Sequence, residues 1–332
     1  MHKLSTGGRL TQELVQEMFL PALENPALAA LSDSAILEQL PSGFPALTTD
    51  GFVVDPPIFP GGDLGYLSVC STVNNLVVAG ARPTGVTWAL VLEEGLEGEL
   101  LRAVVDGAVR AATEADVPLV AGDTQVVPRG KGERCFAVTA GLGIVPAERK
   151  LGDGYIRPGD IMIASGTLGD HGATILACRH ELESAGLRSD CAPLGTLVEA
   201  LLASGAEVHA LHDVTRGGIA ATCQVAASRA GLGMVLEERA LPVRREVRAV
   251  CELLGLEPLH LACAGRFVAW VDGRNAARVL DALHAHPLGS GAGLIGHAEA
   301  SGSGPARLLL RTAAGGQRPL DKLSGLDLQQ IC

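Results

Sequence analysis

Between residues 67 and 145 the hydrophobic period of the chain switches repeatedly, and this switching restricts the fold more than any other feature. LSVCSTVNNLVVAGA (67–81) and ELLRAVVDGAVRAATEADV (99–117) carry apolar residues at helical spacing. TGVTWALVLEEG (84–95), PLVAGDTQVV (118–127) and RCFAVTAGLGIV (134–145) carry the β-branched runs of strands. The second of these is expected to open into a polar loop. A chain that alternates in this way builds a sheet covered by helices.

The pattern restarts after Pro158, Gly159 and Asp160, which signal a turn, and Ile161 to Ala164 read as the first strand of a second unit. ATILACRHELESAG (173–186) reads as helix, and 211–231 as a loop entering a helix that ends at Gly231. LPVRREVRAVCELLGL (241–256) reads as a helix that opens near Pro242 and closes at Gly255. GRFVAWVDG (265–273) is a strand and NAARVLDALHAH (275–286) a helix. The expected class is therefore α/β (α+β), with units over 1–150 and 151–312 and a mobile tail over 313–332. The opening MHKLSTGGRLTQELVQEMFLPAL is expected to form an amphipathic helix after a glycine turn.

Composition narrows the function classes. Hydrophobic residues at 47% of 332 suffice for two cores, and aromatics at 3% leave those cores to Leu, Val, Ile and Ala. A net charge of −11 without a Lys/Arg cluster speaks against a nucleic-acid partner. No apolar run reaches the roughly 18 residues of a membrane helix, and no secretory core is visible. None of the eight cysteines forms a C-x-x-C pair, which fits reduced thiols in a cytoplasmic protein.

Neither a P-loop nor a G-x-G-x-x-G fingerprint occurs, so a nucleotide site must use another device. Asp33, Asp50, Asn75, Asp123 and Asp213 recur at expected strand ends beside small residues. Hard oxygen ligands converging on one spot would hold Mg²⁺ and the phosphates it bridges. Singly, each serves equally well as a turn residue or helix cap. The glycine runs STGG (5–8), PGGD (60–63), SGTLGDHG (165–172) and TRGG (215–218) either expose amides to phosphate or simply turn the chain. His171 is a base, a ligand or an exposed surface residue. Arg216 pairs with a phosphate or with a surface carboxylate. The last residue, Cys332, places a thiol on the expected mobile end.

LTTDGFVVDPPIFPGGDLG (47–65), TVNNLVVAGARP (72–83), VAGDTQVV (120–127), SGTLGDHG (165–172) and HDVTRGGIA (212–220) carry a resemblance. In order and spacing the chain resembles the HypE family of hydrogenase maturation proteins. That family belongs to the superfamily of aminoimidazole ribonucleotide synthetase and selenophosphate synthetase. The resemblance implies a two-domain PurM-like fold that binds ATP in a cleft and forms a homodimer through its N-terminal sheets. It implies Gly7, Gly8, Asp50, Asn75, Asp123, Thr124, Asp213, Thr215 and Arg216 at the nucleotide, and Asp33, Asp50 and Asp213 at Mg²⁺. It further implies that Cys332 carries a carbamoyl group loaded by a HypF-type carbamoyltransferase. ATP-driven dehydration then makes a thiocyanate, whose cyanide passes to a HypC–HypD complex for the iron of a nickel–iron hydrogenase. The alternatives are a carrier or scaffold of the same shape, or a small-molecule synthetase of the superfamily. Against the family pattern, Asn75 replaces Asp and Gln125 replaces Lys. Cys223 with Gln224, and Cys263 with Ala264, each replace Asn-Glu.

Overall fold

The computed structural model describes residues 13–23, 25–29, 34–37, 39–183, 186–301 and 306–320. Gly7, Gly8, Asp33 and Cys332 lie outside the described residues. Two compact units emerge: one runs through Ala147 and takes in Cys191–Pro193, and the other comprises Glu148–Asp190 and resumes at Leu194.

In the first unit, β1 (Phe44–Phe52), α1 (Leu64–Val78), β2 (Arg82–Glu93), α2 (Gly98–Ala115), β3 (Leu119–Val127) and β4 (Cys135–Val145) follow one another. The sheet order is β1-β4-β2-β3. β4 runs antiparallel to β1 and β2, whereas β2 and β3 are parallel. A parallel pair needs a crossover, and α2 supplies it. β3 runs as strand through Val127, where its ladder with β2 ends at the Glu93–Val127 pair, and opens into a polar loop over 128–134 as expected. Asp123 thus lies inside a strand. Ahead of the sheet, the helix expected at the N-terminus runs without a break over residues 13–22, its Val15–Phe19 part wound as π-helix, and Pro26–Ala29 is a separate short helical piece.

Every residue of α1 except Asn75 is buried, as expected of a helix that is apolar nearly all round. Asp63 starts it by accepting from the Tyr66 amide at 2.8 Å. Arg110 of α2 donates to the other Asp63 oxygen at 3.2 Å and stacks 4.4 Å above the Tyr66 ring. Two glycines permit this closeness. A Cβ on Gly65 would lie 1.8 Å from the Val104 carbonyl oxygen, and one on Gly107 would lie 1.9 Å from Asp63 Oδ1. Cys191–Pro193 is held in this unit by the Asn74 side chain, which donates to the Ala192 carbonyl at 3.0 Å.

The second unit contains β5 (Ile161–Ala164), α3 (Asp170–Arg179), α4 (Gly195–Ala203), β6 (Val208–Asp213), α5 (Gly218–Ala230) and β7 (Gly233–Glu237). After these come α6 (Arg245–Leu254), β8 (Phe267–Val271), α7 (Ala276–His284), β9 (Gly293–Glu299), β10 (Leu308–Arg311) and β11 (Gln317–Pro319). Its seven strands are ordered β11-β10-β7-β9-β5-β8-β6 around a core that includes Met162, Trp270 and Ile295. Two expectations change. α3 stops at Arg179, where the Leu182 amide bonds back to the Ala177 carbonyl and Glu181 takes a left-handed φ of 51°. Gln317–Pro319, expected in the tail, pairs with β10 through a hairpin that turns at Gly315, φ 92°. Among the described residues no helix is long and apolar enough to cross a membrane.

The helix contact in the first unit is directly testable. Gly65→Ala forces backbone apart and should cost about 3 kcal/mol in urea denaturation. Gly51→Ala, where a Cβ meets nothing within 4 Å, should stay within about 0.5 kcal/mol of the parent.

Candidate functional site

α1 positions the first group of site residues. Ser68, Thr72 and Asn75 fall at i, i+4 and i+7, on one face. Ser68 Oγ accepts from Trp88 Nε1 at 3.0 Å, the Thr72 and Thr139 hydroxyls meet at 2.5 Å, and Asn75 Nδ2 donates to Asp50 Oδ2 at 2.6 Å. Trp88, Thr139 and Asp50 are one cross-strand row on β2, β4 and β1. Seven helical residues rise about 10.5 Å, close to the roughly 9.6 Å of two strand spacings. The helix therefore steps across the sheet, touching a new strand with each polar group. Asn75 thus lies on a helix rather than at a strand end.

The structure joins Asp50 to Asn75 and separates both from Asp123. β1 and β3 are opposite edges of the sheet, three spacings or about 14 Å apart. Asp123 accepts locally, from the Thr124 amide at 2.7 Å and from Gln125 Nε2 at 3.3 Å. On the inner side of β3 the polar row reaches Gly122, which adds no side chain. A cavity of about 290 Å³ lies there, walled by Phe19, Leu23, Trp88, Leu90 and Val120, with Asp123 and Thr124 also lining it. The Phe19 and Trp88 rings meet edge to face at 6.4 Å.

Asp50 does not fit the magnesium role that the resemblance implies, because its Oδ2 is engaged by the Asn75 amide. Among the described residues, no three His, Cys, Asp or Glu side chains gather into a metal-holding group.

In the second unit Asp213 ends β6, and Thr215-Arg216-Gly217-Gly218 turns the chain into α5. Gly217 and Gly218 hold φ of 78° and 62°, and a Cβ on Gly218 would lie 2.5 Å from the Leu259 carbonyl oxygen. The Gly218 amide is occupied by the Thr215 carbonyl at 2.9 Å. Several amides of SGTLGDHG are spent inside the fold. The Gly172 amide donates to the Ala262 carbonyl at 2.9 Å and the Gly169 amide to Cys263 Sγ at 3.2 Å. His171 is buried rather than exposed. Its Nδ1 is 2.9 Å from Ser189 Oγ, and burial pushes its pKa down to about 4, so it is neutral at pH 7.

Sequence reading missed a buried charge cluster beside it. Asp170 receives Arg244 Nη1 at 3.3 Å, and Asp190 Oδ1 receives the Ala264 amide at 3.1 Å. Arg266 Nε is 3.6 Å from Asp190 Oδ2, too long for a hydrogen bond. Burial pushes both carboxyls above their ordinary range. The only sequence signal was the presence of charged residues within otherwise apolar or glycine-rich stretches.

Residues 31–145 match the family AIR synthase related protein, N-terminal domain, and 157–308 match its C-terminal domain. These matches define a two-domain α/β protein of the PurM-like class. A carbamoyl dehydratase HypE from Rhodobacter capsulatus is 45% identical over 98% of this chain and 96% of its own length. A crystal structure of HypE in complex with ATP superposes with a TM-score of 0.93 at 39% identity, covering 98% of each chain. The structure of a HypE–HypF complex gives 0.80 at 38% identity, over 93% of this chain and 99% of that one. The chain belongs to the HypE family of hydrogenase maturation proteins.

The buried acids yield a prediction with a definite sign. Folding raises the Asp190 pKa, so its stabilising contribution is complete below the ordinary value of about 3.9 and is lost as pH rises through the folded value. In urea denaturation across that window, Asp190→Asn should gain stability relative to the parent as pH rises. A variant-minus-parent difference that stays flat with pH contradicts this.

Proposed function

We propose that the chain is an ATP-dependent carbamoyl dehydratase of hydrogenase maturation. The observation that carries the reading is the cavity beside Gly122, Asp123 and Thr124, in a chain that matches carbamoyl dehydratases along nearly its whole length. Its aromatic and aliphatic walls suit a purine ring, and Asp123 and Thr124 offer polar groups for the rest of a nucleotide.

The group to be dehydrated is a carbamoyl on the Cys332 sulfur. Its amide oxygen is a poor leaving group. Attack by that oxygen on the γ-phosphorus breaks the bond to ADP and gives an imidic phosphate. The nitrogen then sheds its two protons as phosphate departs, and C≡N remains on sulfur. The protein's task is positioning and charge stabilisation, as in other phosphoryl transfers.

A HypF-type carbamoyltransferase is the proposed donor, supported by the complex known among the relatives. The proposed cyanide acceptor is a HypC–HypD complex. A homodimer is proposed through the outer face of the first sheet, where Leu47 and Val138 are exposed. The carrier or scaffold reading draws support from Gln125 and Ala264, neither of which carries a charge to handle protons.

Mass spectrometry separates these readings. After incubation with a HypF-type protein, carbamoyl phosphate and ATP, the peptide ending in Cys332 should carry a carbamoyl adduct that loses one water. Cys332→Ala should show neither species, and an adduct that persists with ATP present supports the scaffold. Leu47→Asp should convert a dimer to a monomer in light scattering; an unchanged mass removes that surface from consideration.

A further inference from the structure

We infer that the Asn75 side-chain amide takes the place of a divalent cation at Asp50, so that this carboxylate ties helix to sheet and is not a metal ligand. The inference stands apart from the nucleotide reading, because it concerns two side chains of the first unit alone.

Asn75 Nδ2 lies 2.6 Å from Asp50 Oδ2 and 3.2 Å from Thr48 Oγ1. Thr48 and Asp50 are two residues apart on β1 and so share its inner face. The amide nitrogen has two N–H groups, and these two acceptors account for both. The reverse amide orientation would set two acceptor oxygens 2.6 Å apart, which requires a proton or a cation between them. The donor orientation supplies that proton.

A magnesium ion binds oxygen at about 2.0–2.1 Å and demands near-octahedral geometry. Asn75 Nδ2 already occupies the approach to Oδ2, and a nitrogen that donates two hydrogen bonds has no lone pair for a metal. To seat an ion there, Asn75 must swing away from both Asp50 and Thr48. That movement would break both hydrogen bonds from Asn75 to the edge strand. An ion that accompanies a nucleotide would then reach the protein on the phosphates and their waters.

Titration of the full-length protein with Mn²⁺ alone, followed by electron paramagnetic resonance of the free ion, tests this. The parent and Asp50→Asn should give the same Mn²⁺ stoichiometry and affinity. Asn75→Asp should gain one ion per chain, bound at least tenfold more tightly than any site in the parent, and Asp50→Asn in that background should remove it. Without added metal, the thermal midpoint of Asn75→Asp should fall below that of the parent and recover when Mn²⁺ is added. Loss of one bound ion on Asp50→Asn in the parent overturns the inference, as does a folded Asn75→Asp that gains none. If Asn75→Asp fails to fold, the parent and Asp50→Asn comparison decides alone. Failure of ATP to bind would refute the nucleotide reading and leave this result standing.

Discussion

The first unit depends on where α1 can sit. Gly65 and Gly107 let it approach α2 until backbone and capping carboxylate touch, which sets its height. Three polar contacts, to Trp88, Thr139 and Asp50, set its position along the strands. Each such bond contributes about 1 kcal/mol net, but orphaning a buried partner costs about 1–3 kcal/mol. A slide by one turn would orphan all three together. The contacts therefore penalise wrong registers far more than they stabilise the right one.

The same row shapes the cavity. Because Ser68 anchors the indole of Trp88, the ring becomes a fixed wall of the cavity at the β3 edge. Gly122 follows in the row and leaves the space beside that ring open. Helix placement and pocket shape are thus one problem with one solution. Asp123 and Thr124 come next on β3, so the polar lining of the cavity is fixed by the ladder with β2.

The elements were largely readable in the sequence, because their periodicities and the glycine stops at Gly231 and Gly255 are local signals. The closure of α3 was not, since Glu181 adopts a conformation that glycine usually marks. The hairpin to β11 was hidden because Gly315 and its small neighbours look alike in a turn and in a tail. Site residues were harder. A glycine run looks the same whether its amides are open or spent, and in SGTLGDHG the Gly172 and Gly169 amides are spent on Ala262 and Cys263. Nothing local in the sequence links Asp50 to Asn75, and only the register of β1 against β4 brings them together. Asp170 and Asp190 share a cluster with Arg244 and Arg266 through tertiary packing that no local pattern encodes.

The passage of Cys191–Pro193 through the first unit has a consequence for modularity. The chain leaves that unit after Ala147, returns for three residues, and departs again at Leu194. A cut near residue 148 would release an N-terminal piece in which the Asn74 amide has lost the Ala192 carbonyl. Shuffling either half between relatives must therefore carry this short loop with its host.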